Sequence, residues 1–296
     1  MNLPISCSFH PYRPAAWLRA SGPDAATFLQ GQFTGDIRLA TAREAVYGLW
    51  LDQKGKVLAD SFILRGGGVD EFWVGSLFSP AATIVSRLEA YLIADEVAIE
   101  DVTADWTGFA LVGGGAGAWL AAGPRAGVRF RGRRASEESW EWVLPAAEAA
   151  GAIEALAGAR ELSPADMETR RILAGLPAVP ADIGPGDLPN EGGLEAEAIS
   201  STKGCYLGQE VMARLKSKGR IRRRLHRVAG PGTAPAVPSG LWQGGAKVGE
   251  LRSAAPAGDG PGFVGWAMLT LAALRPELPL APAPDGPGAL RVVPPA

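Results

Sequence analysis

The sequence predicts an α+β protein with a small β-barrel at its C-terminal end. Three observations lead there. Strand-like runs come in groups, with helices set against them, rather than in strict βαβ alternation. Residues 80–92 place Ile84, Val85, Leu88 and Leu92 at amphipathic helical spacing. From Leu225 onward the composition shifts to short strands separated by proline and glycine turns, the rhythm of a small barrel.

The elements follow in order. Residues 15–20 read as a short strand, and Ser21-Gly22-Pro23-Asp24 as a helix start with Ser21 as N-cap. The helix continues to Gln32, with Phe28 and Leu29 inward, and Thr34-Gly35-Asp36 ends it. Residues 45–51 and 56–64 flank Asp52-Gln53-Lys54-Gly55, a hairpin with glycine at the turn. A third strand is expected at 71–75, a helix at 80–92, and strands at 96–102 and 109–112. Gly113-Gly114-Gly115 is a loop, because the spacing and following acid of a dinucleotide fingerprint are missing. Strands at 127–134 and 140–144 precede an alanine-rich helix at 145–156, and Ser163 with Asp166 caps the next helix. Residues 177–189 form a long proline- and glycine-rich loop. Further strands are expected at 225–229, 247–251, 262–268 and 289–293. The expected division is a region 1–224, itself two interleaved parts meeting near residue 100, and a barrel over 225–296.

The totals exclude several classes. A chain of 296 residues with 47% apolar content can build a sizeable core. It has no apolar run of about 18 residues to span a bilayer. A net charge of −2 gives no overall attraction to polyanions. The first residues lack the pattern of a leader, so a cytoplasmic protein is expected. Cys7 and Cys205 lie too far apart in sequence to suggest a disulfide framework, and with only two histidines there is no zinc pattern. No metal site is expected, nor enough thiolates for an ordinary iron–sulfur cluster.

The chemistry concentrates at Lys203-Gly204-Cys205-Tyr206-Leu207-Gly208-Gln209-Glu210. An apolar strand is expected before it and a helix from about Gly208–Gln209. Two glycines let the backbone turn sharply, and polar neighbours make a core position awkward for Cys205. A thiol beside an ammonium and a helix start favours the thiolate, so Cys205 reads as a functional thiol and Lys203 as its activator. The competing reading is an inert buried cysteine, the commonest fate of that residue.

This octapeptide resembles the signature of the YgfZ/Iba57 family, folate-binding proteins that serve iron–sulfur enzymes and are similar in fold to the glycine-cleavage aminomethyltransferase. The run from Ser21 to Asp36 and the loop Leu188-Pro189-Asn190-Glu191 before the cysteine motif match the family's pattern as well. The resemblance implies an aminomethyltransferase-like folate-binding fold, with mixed antiparallel sheets and helices, and tetrahydrofolate or a one-carbon derivative in a central cleft. It also implies Glu191 as the carboxylate that meets the pterin edge with two hydrogen bonds, with Asp36 and Gln209 as further cofactor contacts. One departure stands out. The aminomethyltransferases place a catalytic aspartate shortly after the strand matching 71–75, whereas here Ser76-Leu77-Phe78-Ser79-Pro80 follow and no carboxylate appears before Glu89.

From Arg214 to Arg227 the chain carries eight Lys/Arg and no acid. Arg214, Arg222 and Arg223 are candidates to bind phosphate, a folate tail or an acidic partner, although most charge runs are simply solvated. No RNA-binding signature accompanies them, so direct nucleic-acid binding is not expected. The reading is a monomeric, tetrahydrofolate-binding accessory protein for iron–sulfur assembly or repair in client enzymes, affecting tRNA modification through them, without classical catalysis. Two alternatives stay open: a folate-dependent one-carbon transferase, and a tRNA-binding module acting through residues 214–227.

Overall fold

Two sheets pack face to face near the N-terminal end, because alternate residues of their strands are apolar on both sides. The computed structural model describes residues 6–123, 126–258 and 260–294, and only the main chain of Lys218. The first five residues, read above for a leader, and the side chain of Lys218 in the basic run lie outside the described residues. The chain begins with β1 (Ser8–Tyr12), β2 (Ala16–Ser21), α1 (Ala25–Gln32), β3 (Val46–Leu51), β4 (Val57–Arg65), β5 (Glu71–Ser76), α2 (Ala81–Glu89) and β6 (Ala98–Asp101). It continues with β7 (Trp106–Val112), α3 (Ala116–Ala122), β8 (Val128–Arg131), β9 (Ser139–Pro145), α4 (Ala149–Ala155) and α5 (Pro164–Leu173).

The first sheet runs β3-β4-β5-β2-β6 and the second β1-β7-β9-β8, with every pairing antiparallel. Leu18, Ile63 and Val74 face α1 and α2, where Leu29, Ile84 and Leu88 meet them. Their neighbours Trp17, Phe62 and Leu64 point the other way, against Phe130 and Val143 of the second sheet. The period of two along a strand produces this division. Phe109, Leu111, Trp142 and Leu144 line the far face of the second sheet and pack on α3 and α4. Gly75 is required at the contact between sheets, since a Cβ there would sit 2.4 Å from the Trp17 ring.

Beyond α5 lie α6 (Glu195–Ala198), α7 (Gln209–Lys218) and the strands β10 (Arg223–Gly230), β11 (Ser239–Gln243), β12 (Ala246–Pro256), β13 (Phe263–Thr270) and β14 (Arg291–Val292). These strands form a curled sheet, β11-β12-β13-β10-β14, consistent with a small barrel around Val228, Leu251, Phe263 and Leu269. Ile172, Val179, Ile183, Leu194, Tyr206 and Met212 fill the space between this sheet and the β3–β4 hairpin.

Local signals held where local chemistry decides. Ser163 and Asp166 form the expected capping box on α5. Asp52 Oδ1 accepts from Lys54 N and Lys56 N at 2.8 Å and closes the β3–β4 turn. Other elements differ. Ser21 ends β2 and is not an N-cap; Asp24 takes that place, and its carboxylate accepts from Glu96 N instead of capping α1. The glycine triplet leads into a short helix, α3, that the sequence reading left out; Ala and Gly there gave no periodicity to read. Residues 145–156 divide into a 3₁₀ turn and α4. No strand precedes the cysteine motif, whose approach is α6 and a loop. The strand β11 was also missed, because two of its five residues, Ser239 and Gly240, break the apolar pattern.

A buried arginine ties α5 to the long loop. Arg171 Nη1 donates to Asp182 Oδ2 and to Leu176 O, both at 2.6 Å, and Nη2 reaches Ser253 Oγ on β12. Arg171 and Asp182 are 3% and 0% exposed, so removing one charge strands the other away from water. Arg171→Met is expected to cost about 3–5 kcal/mol, read as a drop in the urea unfolding midpoint at unchanged slope.

Candidate functional site

The cysteine motif is held in place by the lysine at its start. Lys203 is buried, and its Nζ donates to Gln30 O at 2.6 Å, Phe33 O at 2.6 Å and Gly35 O at 2.9 Å. These carbonyls lie at and just past the end of α1, where the helix dipole is negative and orphan carbonyls need donors. Burial lowers the lysine pKa to about 8, while Asp36 nearby pulls it upward. All three ammonium protons are committed to main-chain oxygens, and none is left for the Cys205 thiol. Lys203 therefore positions the loop, in place of the activating role expected of it. The stitching continues along the segment: Ser200 N donates to Thr34 O, and Leu207 N to Gly31 O.

Cys205 is exposed, in contrast to Cys7, whose thiol is buried and pushed up in pKa by that burial. The two glycines of the motif differ in their duties. Gly208 is the N-cap of α7 at φ +86°, and a Cβ there would lie 3.1 Å from Asp52 O. Gly204 has open space around it and no left-handed φ. Gln209 turns back so that its Oε1 accepts from Tyr206 N at 3.2 Å, which closes the turn after the thiol.

The two acids expected to read a cofactor are already occupied. Both Glu191 oxygens accept from Arg223, at 3.2 and 3.1 Å, and Oε2 also takes Leu188 N at 2.8 Å. The fork that a pterin would offer is supplied by a guanidinium from β10. Arg223 also bonds Asp187, so it is part of the scaffold and not an open phosphate site. Asp36 accepts from Gln30 and, through both oxygens, from Arg38; the Arg38 hydrogen bonds hold its carboxyl far below the usual range. Arg214 and Arg222 are exposed, as expected of solvated or partner-facing cations. The structure thus brings Asp36 close to Lys203, and Glu191 onto Arg223, and leaves Cys205 apart from both pairs. Among the described residues no cluster of His, Cys, Asp and Glu could hold a metal ion, and no helix is long and apolar enough to cross a membrane.

A cleft opens where the sheets meet α5. One part, of about 310 Å³, is lined by His10, Phe78, Arg134, Met167, Glu168 and Arg171. A narrow extension shares Phe78 and Arg171 and reaches Tyr47, Asp60 and Arg133. Asp60 is the residue that sequence reading missed. It stands on β4 in the run Val57–Arg65, and an acid inside a buried strand was the available signal. Ser76 Oγ and Ser79 Oγ lie 2.8 and 2.7 Å from its Oδ1, and Tyr47 Oη donates to Oδ2 at 3.0 Å. Burial outweighs these hydroxyls and raises its pKa. The loop after β5, which carries no carboxylate of its own, therefore receives one from the neighbouring strand. Close by, Arg134 Nε donates to Glu141 at 2.9 Å and the Tyr12 hydroxyl lies against both charged groups, so the three form one buried cluster.

Comparison with known proteins accords with this geometry. Residues 15–125 match the GCVT N-terminal domain. The human mitochondrial iron–sulfur cluster assembly factor IBA57 is 31% identical over 276 residues, covering 85% of this chain and 74% of that protein. The chain belongs to the IBA57/YgfZ family. The tRNA-modifying protein YgfZ of Yersinia pestis (strain Pestoides F) is 29% identical over 84% of this chain and 80% of its own length. The aminomethyltransferase T of the Bartonella henselae glycine cleavage system superposes with a TM-score of 0.78 at 21% identity, over 97% of this chain and 84% of that one. The fold is thus aminomethyltransferase-like. Within it, this IBA57/YgfZ member keeps its thiol on a pinned loop and its buried acid on a strand.

Two measurements check the site. Lys203→Met leaves three carbonyls without a charged donor and should lower stability by about 3 kcal/mol or more in urea unfolding. Asp60→Asn tests the buried acid. The folded protein holds this proton to higher pH than the unfolded chain, so the carboxyl costs stability as pH rises from about 4, the ordinary Asp value. The asparagine variant should gain on the parent steadily across that rise, and parallel stability curves would show Asp60 titrating normally.

Proposed function

We propose that the protein binds tetrahydrofolate and supports assembly or repair of iron–sulfur clusters in client enzymes, with effects on tRNA modification passing through those clients. The observation that carries this reading is Cys205: an exposed thiol, free of structural duty, on a loop fixed by a buried lysine. A thiolate is a soft ligand suited to iron and its clusters. A lone exposed thiol cannot hold a cluster by itself, so it would act together with ligands from a partner. The names of the human and Yersinia relatives point the same way. The reading takes the protein as a monomer in the cytoplasm, where a single exposed thiol stays reduced.

The cleft suits a folate. A pterin needs a ring face, and Phe78 offers one at the junction of the two parts. The glutamyl end needs a cation, and Arg134, itself paired with Glu141, lines the wider part. Glu168 and Asp60 line the walls in the place of Glu191, which borders neither part. Bound folate would supply a carrier for one-carbon units. This chain's residues would hold the ring, orient it and exclude water.

The buried Asp60 favours a second reading, a folate-dependent one-carbon transferase, since an acid with a raised pKa is suited to proton transfer. Methylene transfer from labelled folate, absent in Asp60→Asn, would support it.

Tetrahydrofolate should raise the melting temperature of the parent protein by mass action. Phe78→Ala should weaken binding about tenfold, within the range of a lost aromatic contact, whereas Glu191→Ala should alter stability more than affinity. Cys205→Ser should leave folate binding intact and the melting temperature within a few degrees, yet abolish support of iron–sulfur enzymes in cells. Full client activity with the serine variant would remove the thiol from the function.

A further inference from the structure

The reading above leaves a large feature unused. A groove of about 580 Å³ runs between α7 and the segment that carries the cysteine motif. One wall is a single face of α7, with Gln209, Met212, Ala213 and Lys216 at i, i+3, i+4 and i+7. Ile199, Tyr206 and Leu215 add apolar surface. The Asn190 amide oxygen, buried beside them, has no hydrogen-bond partner. Met212 on this face is buried in the core, while Ala213 and Lys216 beside it stay exposed along the groove.

Charge identifies the occupant. Arg214, Lys216, Arg220, Arg222 and Arg224 are all exposed, and none makes an ion pair among the described residues. Lys216 lines the groove itself, and the others lie on α7 and on the chain leaving its C-terminal end. Arginines elsewhere in the scaffold, such as Arg171, Arg223 and Arg252, are paired with acids. The five exposed cations therefore repel one another and have no paired acid among the described residues. Glu195 is the acid on the opposite rim.

We propose that this groove docks an acidic, amphipathic helix of a partner protein. Its apolar side chains would enter the trough over Tyr206, Met212 and Ile199, and its carboxylates would meet Arg214 and Lys216. A protein segment fits better than RNA, because phosphate contacts have no use for an apolar trough. Tyr206 follows Cys205 directly, so a docked helix brings its protein beside the thiol. In that respect the proposal rests on the cluster-support reading and names the chemistry of its partner; the docking itself is measured without folate, cluster or client.

The probe is a fluorescein-labelled helical peptide of roughly 15–20 residues, with leucine at i, i+3, i+4 and i+7 and glutamate elsewhere, beside a counterpart with lysine for glutamate. Anisotropy titration should show the glutamate peptide binding the full chain at least about tenfold more tightly than the lysine one, a difference of about 1.4 kcal/mol. Ala213→Trp, which fills the trough from an exposed position, and Arg214→Glu combined with Lys216→Glu should each weaken binding about tenfold or more; circular dichroism confirms that both variants fold. Bound peptide should also slow alkylation of Cys205. Equal binding of the two peptides, or of neither, overturns the proposal. So does displacement of the peptide by tetrahydrofolate, which assigns the groove to the folate, and so does tRNA binding that survives Ala213→Trp while no peptide binds.

Discussion

A buried ammonium sets the position of everything around the thiol. An isolated charge taken out of water is costly, and Lys203 is tolerated because three main-chain carbonyls receive its three protons. That requirement is geometric as well as energetic. The carbonyls of Gln30, Phe33 and Gly35 converge only when α1 ends where it does and the following turn is formed. The loop from Ala198 to Leu207 must then lie along residues 31–35, where Thr34 bonds Ala198 O and Leu207 N bonds Gly31 O. Cys205 is thus fixed by main-chain bonds while its own side chain remains uncommitted. The thiol itself faces solvent on this fixed loop.

The same logic extends to the long loop between α5 and α7. It is rich in proline and glycine; Val179, Ile183 and Leu194 anchor it in the core, and ions fix its polar remainder. Asp182 takes Arg171 from α5, Asp187 takes Arg252 from β12 and Arg223 from β10, and Glu197 takes Arg133 from beyond β8. Such pairs add little net stability compared with an apolar core, but a wrong register would strand several charges at once. They select one arrangement of the loop against the three sheets. The cleft formed there inherits that rigidity, together with the buried cluster of Tyr12, Arg134 and Glu141.

Much of this was legible in the sequence, and the divide is one of range. The capping box of Ser163 with Asp166 and the turn closed by Asp52 depend on residues two to four apart, and both were read correctly. The helix after Gly208 and the exposure of Cys205 followed from glycines and polar neighbours in the same octapeptide. The assignments that changed involve partners far away. Glu191 meets Arg223 from 32 residues on, and Lys203 meets Gln30 from 173 residues back. A charged residue read alone looks available, and only the fold shows that it is spent. Asp36 is the instructive exception, because its partner Arg38 is two residues away and could have been weighed. Asp60 was overlooked for the opposite reason: it sits inside an apolar run that was read only as a strand.

The frame shared with the aminomethyltransferase therefore constrains function less than the placement of a few polar groups within it. In this chain an acid faces the cleft from β4, braced by Ser76 at the end of β5 and Ser79 beyond it, and desolvation raises its pKa. The thiol, meanwhile, sits in the 176–208 segment on a loop whose bonds run to α1, and its neighbour Tyr206 lines a different cavity. Cleft and thiol do not share a lining residue, but they share that segment: Arg171 and Asp182 hold one end of it and Lys203 the other. A second connection runs through the β3–β4 hairpin, where Asp60 pairs with Leu49, Leu49 N donates to Thr34, and Thr34 bonds Ala198 and Ser200 ahead of the thiol.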